Sequence, residues 1–289
     1  MSAAIQSPAS QSEYPRRIVC LTAETTETLY LLGEQDRIVG VSGFTTRPPE
    51  ARSKPRVSTF NTADCDAILA LKPDLVLTFS DVQAEITRDL VLRGATVLNF
   101  NQRSVTEILE MVSTLAKLVG KPREGEKLVG ALLRLLDEIA VSAKAFPWRP
   151  RVFFEEWNEP LISGIRWVEE LVLLAGGEPI FPELRTCGKS KDRVVDPSLV
   201  ISRNPDVILA SWCGMKVKKQ EIRSRPGWSA IGAVQKNRIF EIRSSLILQS
   251  GPAALTEGVR QIHSILAQVV GVEIDPLLRP AEKADPRFL

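Results

Sequence analysis

The sequence is poor in the side chains that most often do chemistry. It holds one histidine, His263, among 289 residues. A triad that needs an imidazole has only that one to draw on, and a multi-histidine zinc or manganese site is excluded. His263 lies inside PAALTEGVRQIHSILAQVV, an amphipathic pattern opened by Pro252, which gives it a structural place on a helix. The four cysteines, Cys20, Cys65, Cys187 and Cys213, are widely spaced and form no C-x-x-C. That spacing argues against a disulfide framework and a closed zinc site. Net charge is only +2, with no run of like charges, so no nucleic-acid partner is expected. No apolar run approaches the ~20 residues of a membrane-spanning helix, so no membrane insertion is expected. The opening MSAAIQSPASQSEYPRR is polar and lacks the apolar centre of a secretory signal, which as written assigns the chain to the cytoplasm. Also missing are G-x-S-x-G, H-E-x-x-H, the P-loop and G-x-G-x-x-G. No catalytic residue, catalytic cofactor or bound metal is therefore expected.

What is present is a repeated design. LALKPDLVLTFSD, from Leu69 to Asp81, returns as ISRNPDVILASWC, from Ile201 to Cys213. In each copy a helix ends at x-Pro-Asp and an apolar strand follows. A further strand comes later in each half, TVLNF or RIFEI. RIVCL, RIVGVS and RVSTF precede the first copy as strands, and RVFFEEW precedes the second. Apolar strands alternating with helices indicate a parallel sheet covered on both faces. Between the halves, from Ser104 to Ala145, there is no strand signal, and Gly120-Lys121-Pro122 divides two helices. The second would run about 24 residues, roughly 36 Å. The expected fold is α/β, with two Rossmann-like lobes whose parallel sheets are joined by one long backbone helix. Its divisions are a disordered tail at 1–15, a lobe at 16–103, a helical linker at 104–148 and a lobe at 149–289.

In such sheets ligands bind outside the carboxyl ends of the strands. Aromatic residues gather there: Phe44, Phe60, Phe79, Trp157, Trp167 and Trp212. Flat rings with few ionisable neighbours suit a large, planar, partly apolar ligand. Of Glu155 and Glu156, at most one can face a cleft, because neighbours on a strand point to opposite faces.

The stretch from RIVCLTAETTETLYLLG through VSGFTTRPPEARSKPRVSTF to AILALKPDLVL resembles the first lobe of the periplasmic cobalamin-binding proteins. These belong to the helical-backbone group of ABC-transporter substrate-binding proteins, which also carry ferric siderophores and haem. SGIRWVEELVLLAGGEPIF and NPDVILAS resemble the second lobe. The resemblance implies a ligand held between two lobes, little lobe closure, and a monomer that meets an ABC permease. It places ligand-facing aromatics at Phe44 and Phe60, a close backbone approach at Ser163-Gly164, and a polar contact at Ser245. Cys187 or Lys189 stands where the family carries a further aromatic. One glutamate per lobe would dock on the permease: Glu27, and Glu170 or its neighbour Glu169. A processed form of a longer product would then be periplasmic.

The first reading is binding, without catalysis, of a corrinoid such as cobalamin, as a substrate-binding protein or as a carrier or sensor in the cytoplasm. Phe44, Phe60, Trp157 and Trp212 would stack on it, and Glu156, Arg166 and Arg243 would give polar contacts. The second keeps the fold and takes a ferric siderophore or haem, whose carboxylates or catecholates would meet Arg166, Arg243 and Lys189. The third is a metal-cofactor enzyme or assembly protein using Cys65, Cys187 and Cys213.

Overall fold

The computed structural model describes residues 13–280, so 1–12 of the expected tail lie outside the described residues. The first sheet is built from β1 (Ile18–Cys20), β2 (Ile38–Ser42), β3 (Arg56–Ser58), β4 (Leu75–Phe79) and β5 (Val97–Phe100). Its order is β3-β2-β1-β4-β5, and every pair is parallel. Helices α1 (Ala23–Leu31), α2 (Cys65–Ala70) and α3 (Ala84–Leu92) connect these strands. Side chains of β1 and of Leu21, which follows it, alternate between two cores. Ile18 and Cys20 join one with α4 and α5, described next, while Val19 and Leu21 join another with Ile68 and Leu90.

Helix α4 (Val105–Leu118) begins with a capping box: Ser104 accepts the Glu107 N–H, and Glu107 accepts that of Ser104. Gly120, at φ +77°, turns the chain before Pro122 opens α5 (Pro122–Ala143). The 22 residues of α5 span about 33 Å. Its stripe of Leu128, Leu132, Leu135, Leu136 and Ile139 belongs to one core with residues of both sheets. The long helix is thus a shared floor, not a free strut.

The second sheet holds β6 (Arg151–Asn158), β7 (Leu161–Ser163), β8 (Glu178–Pro179), β9 (Val207–Ala210) and β10 (Ile239–Glu241). Its order is β10-β9-β6-β7, with β8 also on β6. All pairs are parallel except β6 with β7. This antiparallel strand departs from the expected all-parallel sheet. Asn158 pairs with Leu161, so Glu159-Pro160 forms a two-residue hairpin loop that hides within FFEEWNEPLIS. Around the sheet lie α6 (Arg166–Leu174), α7 (Pro197–Arg203), α8 (Lys219–Arg223), α9 (Gly232–Gln235), α10 (Ser244–Ile247) and α11 (Val259–Val270). A wide π-helical turn, Ala254–Gly258, leads into α11.

The repeated Pro-Asp has one job in both halves. Asp74 accepts the backbone N–H groups of Arg16 and Arg17, at 2.7 and 2.9 Å, just before β1. Asp206 accepts that of Arg151 at 3.0 Å, where β6 begins. Each carboxylate ties the start of its strand to the neighbouring strand. His263 is structural, with Nδ1 donating to the Ala175 carbonyl at 3.0 Å and Nε2 accepting from Ser142 at 2.9 Å.

Candidate functional site

The carboxyl ends of both sheets open onto one cavity of about 1350 Å³. Phe44, Phe60 and Phe79 enter it from the first sheet, and Glu156, Trp157, Arg243 and Ser245 from the second. Phe44 and Phe60 are half open to solvent, at 43% and 41% exposure, as side chains awaiting cover would be. Gln83 holds their frame. Its side chain accepts the Phe79 N–H at 3.0 Å and donates to the carbonyls of Leu21 and Phe60, at 3.1 and 2.9 Å. One fully buried amide thus fixes the ends of β1 and β4 and the loop after β3.

The polar lining is partly committed. Arg193 is buried, lines the cavity and grips Glu156 with both terminal nitrogens, at 2.6 and 2.9 Å. It also donates to the Ser163 carbonyl, while its Nε has no partner. Glu156 is therefore a positioned ion-pair member, not a free ligand contact. Arg103 bonds Asp81 at 2.8 Å and lies over the Phe79 ring. Lys189, Lys191, Lys216 and Arg243 also line the cavity, and none has a carboxylate partner among the described residues. Arg193 and Arg103 were not singled out from sequence. Their pairing depends on residues 37 and 22 positions away.

Several expected site residues lie elsewhere. Trp212 does not face the cleft. It continues the alternation of β9, with Ile208 and Ala210, into the second lobe's outer core. It is 1% exposed and donates its indole N–H to Glu155 at 3.0 Å. Glu155 is fully buried and also takes a two-pronged ion pair from Arg225, at 2.6 and 2.8 Å. Gly164 is not among the cavity-lining residues, and the space a Cβ would need there is filled by the Glu169 carboxyl. Arg166 turns along its helix to Glu170, at 2.9 Å.

The expected docking glutamates are likewise engaged. Glu27 is buried, bonds Arg47 at 3.0 Å and accepts the Ala253 N–H at 3.2 Å. Glu170 accepts the Val105 N–H at 2.8 Å as well as Arg166, tying α6 to the start of α4. Glu169 is buried with one oxygen unpartnered, and burial pushes its carboxyl up to about 8 against the pull of Arg193. None of the three offers an uncommitted surface carboxylate.

Of the cysteines, Cys213 lines the cavity, and burial together with nearby Glu156 pushes its thiol up, away from the reactive thiolate. Among the described residues no three or more His, Cys, Asp or Glu side chains are grouped to hold a metal. No helix there is long and apolar enough to cross a membrane.

Comparison with known proteins agrees with this architecture. The chain is 28% identical over 262 residues to YvrC of Bacillus subtilis strain 168, named an uncharacterized ABC transporter substrate-binding lipoprotein; the match covers 86% of this chain and 79% of that one. It is 25% identical over 258 residues to a vitamin B12-binding protein of Vibrio cholerae, covering 86% and 88%. The structure of S. aureus IsdE complexed with heme superposes with a TM-score of 0.74 at 20% identity, over 88% of this chain and 99% of that one, a likeness of fold. The family described as periplasmic binding protein matches residues 18–246, and the chain belongs to it.

Proposed function

We propose that this chain captures a corrinoid in the cleft between its lobes and hands it, chemically unchanged, to an ABC permease. The observation that carries this reading is the set of five aromatic side chains, Phe44, Phe60, Phe79, Trp157 and Trp167, around one cavity. At about 1350 Å³ the space exceeds what a drug-sized ligand needs and suits a macrocycle. The relatives named for vitamin B12 support the same ligand class. Delivery to a permease implies a location outside the cytoplasm, which is the periplasmic alternative expected for a processed form and not the cytoplasm expected from the sequence as written.

A second reading rests on a different observation. Lys189, Lys191, Lys216 and Arg243 outweigh Glu241 and leave the lining with net positive charge, which favours an anionic ligand such as haem or a ferric siderophore.

Titration of tryptophan fluorescence with cyanocobalamin, cobinamide, haem and a ferric siderophore separates the two. Saturable quenching by corrinoids at ~1 μM or below, weakened about tenfold in Phe60→Ala, is the expected result. Saturation by the iron ligands alone overturns the corrinoid reading in favour of the second.

A further inference from the structure

Beneath the aromatic set lies a small chamber of about 40 Å³ that the binding reading does not use. Phe44, Phe60 and Phe79 form its upper wall and also line the main cavity, so the two spaces are neighbours. Its volume is that of one or two waters, enough for the end of a single side arm. Its polar lining is Glu24 and Gln249, with the hydroxyl residues Thr22, Ser42 and Ser250. Glu24, in the first turn of α1, is 5% exposed. Gln249 lines both the chamber and the main cavity. The chain crosses at this point with almost no clearance: a Cβ on Gly251 would collide with the Cβ of Glu24.

We propose that Glu24 and Gln249 form a subsite that takes one primary-carboxamide arm of the macrocycle and refuses a carboxylate arm. A carboxylate accepts the N–H of an amide, and the Gln249 amide can both donate and accept. A second carboxylate in the same small space would set two like charges together with no cation between them. The titratable groups around Glu24 are Cys20 on β1 and Glu27 one turn further along α1, whose charge is met by Arg47. Residues 249–251 carry none. Burial accordingly pushes Glu24 up to about 7, with the Thr22 side chain opposing. The inference rests on the corrinoid reading and sharpens it, since corrinoids bear amide arms whereas haem bears carboxylates.

The test compares cobinamide with cobyrinic acid, its carboxylate counterpart, at about pH 6 and about pH 8, on either side of the Glu24 value. The expected slopes are opposite. Cobinamide tightens as Glu24 ionises, and cobyrinic acid weakens, so their affinity ratio widens by about tenfold. Glu24→Gln, which keeps the shape and loses the charge, flattens both slopes. Gln249→Ala, on the open side of the chamber, weakens cobinamide at both pH values. If both ligands bind with parallel slopes, or if Glu24→Gln leaves the slopes intact, the subsite is overturned and the corrinoid reading stands. If neither corrinoid binds the wild-type protein at either pH, both fall together.

Discussion

The Glu27 carboxylate accepts the backbone N–H of Ala253 at 3.2 Å, joining segments 226 residues apart in the chain. Its other oxygen holds Arg47 at 3.0 Å. Burial pushes the Glu27 carboxyl up, while Arg47 and the Ala253 amide draw it back down. Glu27→Ala leaves both donors without an acceptor, and a loss of about 2 kcal/mol is expected. Urea denaturation of the isolated protein measures it. Glu27→Gln, which keeps an oxygen toward Ala253, should lose less. An unchanged midpoint in Glu27→Ala would show that these two bonds contribute nothing to stability.

The pair Glu155 and Arg225 makes a second stability prediction. Glu155→Ala strands the Arg225 guanidinium, which lies over Trp228, and also the Trp212 indole N–H. Removing one member of a buried ion pair costs about 3 kcal/mol or more. Trp212→Ala opens a core cavity and should cost a similar amount, about 3–5 kcal/mol. Trp212→Phe, which refills most of the space, should leave ligand affinity within about twofold of wild type, because the ring does not reach the cleft. A specific loss of ligand binding in Trp212→Phe would overturn its assignment to the core.

The two-lobe fold was legible because its strands are short apolar runs and the Pro-Asp signal recurs. The aromatics at Phe44, Phe60 and Trp157 were legible as strand-end residues, and the structure brings them to one cavity. Trp212 ends a strand too, but parity places it with Ile208 and Ala210, and that same period-2 rule could have found its core position. Arg193 sits in the polar run GKSKDR and reads as solvated. Its burial follows from the β6–β7 hairpin and from Glu156, neither of which leaves a local trace. Glu24 reads as an acidic residue in the first turn of a helix, a place that favours charge. The close pass of the distant Gly251 helps to make it a buried acid.

Gln83 links fold to site directly. Gln83→Ala leaves two carbonyls and one amide of the cleft floor without partners, so a cost of about 2–3 kcal/mol is expected. Ligand affinity should fall as well, since Phe60 and Phe79 lose their common anchor. Gln83→Glu tests the direction of these bonds. Its carboxylate can still accept the Phe79 N–H, yet it faces the Leu21 and Phe60 carbonyls with no donor. It should be at least as destabilised as Gln83→Ala when compared by thermal melting. A wild-type melting point for Gln83→Glu would show that the two donated bonds contribute nothing.

Stability should decline on the alkaline side, and Glu169 is the main cause. Burial raises its carboxyl from 4.5 to about 8, and that of Glu24 from 4.5 to about 7. The folded chain therefore holds protons that the unfolded chain has already released. Their contribution is full below about 4.5 and is lost as pH rises through about 7 and about 8. His263 acts on the other side. Its folded value is lowered from 6.5 by burial, so its contribution is lost as pH falls below 6.5 and is constant above it. A melting temperature that falls between about pH 6.5 and about pH 8 is thus expected in wild type, with no histidine contribution in that window. Glu169→Gln removes the charge that must otherwise be buried, and it should flatten the decline and exceed wild type at the alkaline end. Glu24→Gln should flatten it less. If Glu169→Gln keeps the full slope, the proton released there comes from another group, and the Glu169 carboxyl is ionised in the folded state through its neighbour Arg193.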